Sequence, residues 1–357
     1  MKKLFRIFLE IRPGVLIGNP YNIVLPQGEM YLEELQDSVA KRPIGLRFVL
    51  TMSSDSLDNA IGPAKGFTRG ILSLLSYMTN AGLPEPIVMK AYEITPGEKI
   101  SHFRQYHYDI PADTFSIRDM DRDLLKKAIT GFNVESHSLR ISRALHWYRI
   151  GILSTDVLDR YVALWTSLET LNIILIELYN LEVEMGKCPD CGRETVPIPN
   201  GIRTLVNDLF SDKKKIWRRL RETRASIVHG FRTFADITPE ARELLPYLEK
   251  SVEKALDEIL NLKGIVRKPS IQLDHPHPIY SQVDVTISGP DIGLLDEHVE
   301  PSFDAGFSFE GVDSTGQTFR TTRSQSLDER FTVKEIKHVF HTMEHVASGM
   351  DFHMDTN

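Results

Sequence analysis

The hydrophobic pattern divides the 357-residue chain into three stretches. Residues 1–118 mix two periods. LFRIFLEI and LRFVLTM are apolar runs of strand length, and Ile71, Leu74, Leu75 and Met78 recur at helical spacing from about Phe67. PIVMKAYEI and HFRQYHYDI flank TPGEK, a turn signal that predicts a hairpin. GPAKGFTRG is glycine-rich but lacks the GxxxxGK[ST] spacing of a phosphate loop, so it reads as a loop entering the helix. The stretch is expected to be an α+β domain.

Residues 119–265 carry the helical period almost throughout. A helix begins over Asp119–Ile129, and SLRISRALHWYRIG continues the pattern. Val157, Tyr161, Leu164, Leu168, Leu171, Leu175 and Leu178 alternate steps of four and three, which predicts one long helix over 155–180 with Ser154, Thr155 and Asp156 at its N-terminus. Trp165, Glu169 and Asn172 lie on a stripe beside that seam, where a carboxylate calls for a cationic partner. Further helices are expected over Ile202–Phe210, over the basic run below, from Thr238-Pro239, and beyond a break at Pro246.

Residues 266–357 differ in kind. From Pro269 to Phe319 there is no Lys or Arg but nine Asp or Glu. VDVTISG alternates like a strand, the rest is turn-rich, and a helix is expected from Thr332 to Ser348. The expected fold class is therefore a multi-domain α+β protein: an α+β domain over 1–118, a helical bundle over 119–265, and an acidic, β-containing region over 266–357 that ends in a helix.

Composition narrows the class. A net charge of −7, 41% hydrophobic and 25% charged residues describe an ordinary globular protein. No apolar run reaches the length of a membrane span, and no membrane partner is expected. Arg6 and Glu10 interrupt the apolar start, so it is not read as a signal peptide. The two cysteines form one CxxC, which excludes a disulfide-stapled secreted fold and fits a reducing cytoplasm.

Against the acidic whole, one run stands out. DKKKIWRRLRETRASIVHG, over 212–230, holds seven Lys or Arg and two acidic residues and ends in Arg224-x4-His229 followed by Gly230. On an ideal helix Arg224 and His229 lie about 140° apart. Gly230 is suited to end the helix and leave His229 on a final turn where its ring can be re-aimed. Lys213, Lys214, Lys215, Arg218, Arg219 and Arg221 would track a phosphate backbone. Trp217 could stack on a base, although it sits at the edge of the stripe Ile216, Leu220, Thr223 and Ile227 and is expected in the core.

ALHWYRIG, RYVALWTSLETL and RETRASIVHG, in this order over roughly 138–262, resemble the Apea-like branch of the HEPN superfamily. The resemblance implies a bundle of four or five helices and a homodimer whose Arg-x4–6-His motifs form a composite site. It further implies metal-independent RNA cleavage giving a 2′,3′-cyclic phosphate and a 5′-OH, in defence or stress responses, under restraint by a sensing domain or protein regulator. Arg224, His229 and Glu169 become the candidate catalytic residues, and no catalytic cofactor is expected; the alternative is that Arg224 pairs with Glu169 and His229 merely caps the helix. The chain departs from the pattern at Ala225, where active members usually carry a polar residue. The rival expectations are a non-catalytic module that binds RNA or a protein, and a zinc-braced structural dimer.

Other residues carry weaker chemistry. Cys188 and Cys191, in CPDCG, supply half of a tetrahedral zinc site, so a structural zinc is one expectation and a metal-free thiol pair the other. His338, His341 and His345 would share one arc of the final helix and are expected to be solvated. His146, in a second Arg-x5-His match with Arg140, is expected to be a packed residue, as are His102 and His107. The acidic region is expected to face away from the bundle; the alternative is that it docks on the basic helix, whose charge it complements, and competes with RNA.

Overall fold

A computed structural model of the chain describes residues 2–25, 28–37, 41–97, 100–108, 120–132, 137–187, 191–211, 215–262, 270, 280–288, 307–312, 318–323 and 332–341. Within them the fold is mixed α+β. The strands are β1 (Lys3–Ile11), β2 (Tyr21–Leu25), β3 (Gly28–Gln36), β4 (Pro43–Ser54), β5 (Ile87–Glu93), β6 (Ile100–Tyr108), β7 (Met185–Lys187), β8 (Glu194–Pro197), β9 (Tyr280–Ser288), β10 (Phe307–Val312), β11 (Thr318–Arg323) and β12 (Thr332–His341). The helices are α1 (Leu57–Thr79), α2 (Arg122–Phe132), α3 (Ser138–Leu153), α4 (Val157–Thr170), α5 (Asn172–Leu178), α6 (Asn200–Leu209), α7 (Ile216–His229) and α8 (Phe234–Ile259).

Eight strands form one antiparallel sheet in the order β12-β9-β6-β5-β1-β4-β3-β2. Its centre follows from alternation. Leu46, Phe48, Leu50 and Met52 of β4 are spaced by two and all buried, and the register sets Leu9 opposite Phe48 and Ile7 opposite Leu50. Each such side chain contributes about 1.5–3 kcal/mol on burial. Strands β9 and β12 lie beyond the helical stretch in sequence yet extend the sheet beside β6, so residues 280–288 and 332–341 share a sheet with strands of the first stretch.

Helix α1 joins the sheet to the remaining helices. Ser56 caps it by accepting from the Asn59 amide at 3.2 Å, and Asn80 ends it in the left-handed region at φ 52°. One buried apolar cluster runs from Ile7 and Leu50 through Leu72 and Leu75 to Leu145, Leu168, Leu205 and Leu248. A polar knot fixes the junction. The Tyr148 hydroxyl meets Asn80 Oδ1 at 2.7 Å and Glu253 Oε1 at 3.1 Å, and the Tyr77 hydroxyl donates to Asp257. These bonds tie α1, α3 and α8 together, and the helices carrying the site inherit their position from the sheet.

Several expectations are corrected. GPAKGFTRG is not a loop: it lies inside α1, which begins at Leu57 rather than near Phe67. The helix over 155–180 is broken at Leu171 into α4 and α5, bent by 42°. Thr166 and Thr170 donate to the carbonyls four residues back, at 2.8 and 2.7 Å, which favours such a bend. Gly201 of α6 fits into the kink, where an added Cβ would lie 2.8 Å from the Asn172 carbonyl oxygen. Helix α8 starts earlier than Thr238, with Thr233 as its cap, and continues through Pro246. Pro246 and Arg242 are exposed, so the Arg242 carbonyl that loses its helical donor faces water.

The expected terminal helix is also overturned. Residues 332–341 form β12, with His338 opposite Val283 and His341 opposite Tyr280. An odd separation puts these two positions on opposite faces of a strand, so the helical arc of three histidines does not exist; His345 lies outside the described residues. Asp284, from the acidic stretch, pairs with Arg104 of β6 and not with α7. The hairpins β7-β8 and β10-β11 form separate two-stranded sheets.

Candidate functional site

Helices α4 and α7 pack so that the signature residues meet. Asp156 caps α4 by accepting from the Leu158 and Asp159 amides at 2.8 and 3.0 Å. One turn on, the Tyr161 hydroxyl donates to the Leu220 carbonyl at 2.9 Å, and burial pushes its pKa up. Trp165 is buried and stacks on Trp217 with centroids 5.8 Å apart and 22° between planes. Trp217 therefore packs on the core rather than standing out as a base platform. Glu169 follows on the same face of α4 and lies 3.5 Å from Arg224 of α7.

The end of α7 is open. Gly230 turns the chain at φ 64°, so Arg224 is half-buried while His229 is exposed. The His229 ring lies 5.4 Å from that of Phe231. Val228, Phe231 and Phe234 expose 49, 72 and 69% of their surface, an apolar rim at the end of α7. The sequence reading missed Phe231 and Phe234; two phenylalanines in the polar run GFRTFAD were the available signal.

The basic run is less basic in the fold than in the sequence. Arg218 donates to Glu222 at 2.7 Å, and Arg219 reaches both Glu243 oxygens at 2.8 Å. With Arg224 on Glu169, three of its arginines have carboxylate partners. Lys215 and Arg221 are exposed and without an ion-pair partner among the described residues. Lys213 and Lys214 lie outside the described residues, as does Cys188. Cys191 is exposed after β7, and among the described residues no three His, Cys, Asp or Glu come together as a metal site.

A second charged cluster, not foreseen, lies between α1 and α3. Arg149 is fully buried, and its Nη1 donates to the Leu83 and Pro84 carbonyls at 2.9 and 3.1 Å. It also pairs with Glu85, which Arg69 reaches at 2.6 Å. Burial pushes the Glu85 carboxyl up, but the Arg149 and Arg69 guanidinium groups outweigh it and hold it below its usual range. Burial and then Arg69 lower the Lys65 ammonium. Burial and then Arg149 lower His146, which is a half-buried packing residue as expected.

A cavity of about 280 Å³ opens near the start of α1, lined by Lys3, Phe5, Ser56, His102, Arg104 and Asp284 among others. Its charges are largely satisfied internally, since Arg104 bridges Asp58 at 2.5 Å and Asp284 at 2.8 Å. Among the described residues no single helix is long and apolar enough to cross a membrane; the bent pair α4 and α5 passes on length and composition together, with most of its apolar residues in the core. No family model, curated protein or solved structure matches the chain.

Proposed function

We propose that the chain is a metal-independent endoribonuclease of HEPN type that acts as a homodimer in a reducing cytoplasm. One observation carries the reading: His229 ends, exposed, the helix whose Arg224 pairs with Glu169, and its chain neighbours Val228, Phe231 and Phe234 form an exposed apolar rim, with the Phe231 ring 5.4 Å from the imidazole. Such a rim is stable when a second copy covers it, and a two-fold pairing there brings two imidazoles and two guanidinium groups to one phosphate. One His229 takes the proton of an RNA 2′-hydroxyl, whose oxygen bonds to phosphorus. The P–O5′ bond breaks, and the other His229 gives its proton to the leaving oxygen. Arg224, oriented by Glu169, stabilises the charge on the phosphorane. The products are a 2′,3′-cyclic phosphate and a 5′-hydroxyl.

The test is to incubate the protein with mixed RNA in chelator and map the cut ends. His229→Ala and Arg224→Ala should each slow cleavage by about 10²–10⁴-fold with the thermal midpoint unchanged. Phe231→Ser with Phe234→Ser should yield monomers that do not cut. Variants cutting at the parent rate would refute the assignment. A second reading, a non-catalytic RNA- or protein-binding module, is favoured by Ala225 and by the internal pairing of Arg218 and Arg219; bound but uncut RNA would decide for it. A structural zinc on Cys188 and Cys191 stands apart from the cleavage step, and the zinc content of the purified protein, with and without Cys188→Ser, tests it.

A further inference from the structure

We propose that the outer side of α1, with the adjoining turn of α3, is a track for the phosphate backbone of a nucleic-acid strand, separate from the His229 end of α7. Charge is the first argument. Lys65, Arg69 and Arg149 gather around one carboxylate, Glu85, which both arginines already share. Lys65 has no ion-pair partner of its own among the described residues. Three cations meet one carboxylate, so the cluster is short of negative charge. An anion laid here would relieve it.

The shape of the helix is the second argument. Gly62, Gly66 and Gly70 repeat every four residues and run along one side of α1. Among the described residues an added Cβ at any of them would meet nothing within 4 Å, so no described neighbour requires them to be glycine. Glycine weakens a helix relative to alanine, and here nothing among the described residues compensates. Three bare positions beside Lys65 and Arg69 leave room for a strand to lie against the helix, with those two side chains about 6 Å apart along the axis. A second copy of the chain is a poor occupant, because self-pairing would set Lys65 and Arg69 against their own kind. A chain of regularly spaced phosphates matches both the charge and the low profile.

The track does not depend on cleavage at His229. It is tested with the full chain carrying His229→Ala, so that the probe stays whole, and a fluorescein-labelled oligouridylate of about 20 nucleotides read by anisotropy. Lys65→Ala with Arg69→Gln should weaken binding about tenfold at low salt. The slope of log affinity against log salt should fall by about 1.4, two single-strand phosphate contacts. Gly66→Leu should weaken binding without changing charge, whereas Gly66→Ala should raise the thermal midpoint. Folded variants that bind the probe with the parent affinity and salt slope would overturn the track. So would polyglutamate competing as well as an RNA of equal charge, which would reassign the face to an acidic peptide. If the parent chain never cuts RNA while the α1 variants still lose binding, the cleavage reading fails and the track stands.

Discussion

Helix α7 and the α1–α3 face make opposite use of positive charge. In α7 the cations are crowded in sequence, yet Arg218, Arg219 and Arg224 each hold a carboxylate. Between α1 and α3 the cations are scattered over 65–149, yet three of them divide a single Glu85. Charge density along a chain is therefore a poor guide to the field at the surface. What matters is where the acidic partners fall in space, and exposed pairs such as Arg218 with Glu222 leave little net field.

The sharpest way to break this contrast is Arg149→Met. The change leaves the Leu83 carbonyl and Glu85 without their buried donor, and it should cost about 3 kcal/mol in urea unfolding. A loss below about 1 kcal/mol would mean that Arg149 does not hold the cluster together. Next come two glycines that look alike in sequence. Gly201→Ala drives a Cβ against the α5 backbone and should cost about 1–3 kcal/mol, while Gly66→Ala meets open space and should stabilise by about 0.4–1 kcal/mol. Equal effects at the two sites would show that α1 is not bare on its outer side.

The smallest effect is a pH dependence. His146 is held below its ordinary value, so as pH falls below about 6.5 the unfolded chain takes up the proton first. Its neutral form then favours the fold at neutral pH, and that advantage is lost as pH drops through the window below 6.5. His146→Gln should flatten stability over that window. A parent protein whose stability rises on acidification there would contradict the environment assigned to His146.

The elements that could be read from the chain were those whose period matches their burial. Ile7, Leu9 and Ile11, or Leu46, Phe48 and Leu50, alternate and are buried accordingly. The stripe beside the helical seam called for a cation at Glu169, and the pair with Arg224 was the alternative to a catalytic role for that arginine. Helix α1 was misjudged because glycine and proline argue against helix locally, whereas Ala60, Ile61, Ala64 and Thr68 are buried against neighbours far away in sequence. Residues 332–341 have helical spacing, and their pairing with β9 is a non-local fact. Arg149 was invisible as a buried cation because its partners come from the segment after α1.

The closure of the sheet carries a consequence for biosynthesis. Arg104 and Asp284 bridge neighbouring strands across 180 residues of sequence. A ribosome must therefore make all the helices before the strand that covers β6 emerges. Until then β6 is a raw edge able to recruit a strand from another nascent chain, and its completion is a long-range, slow event. A chaperone that shields β6 during that interval would raise the yield of folded protein without altering its final stability.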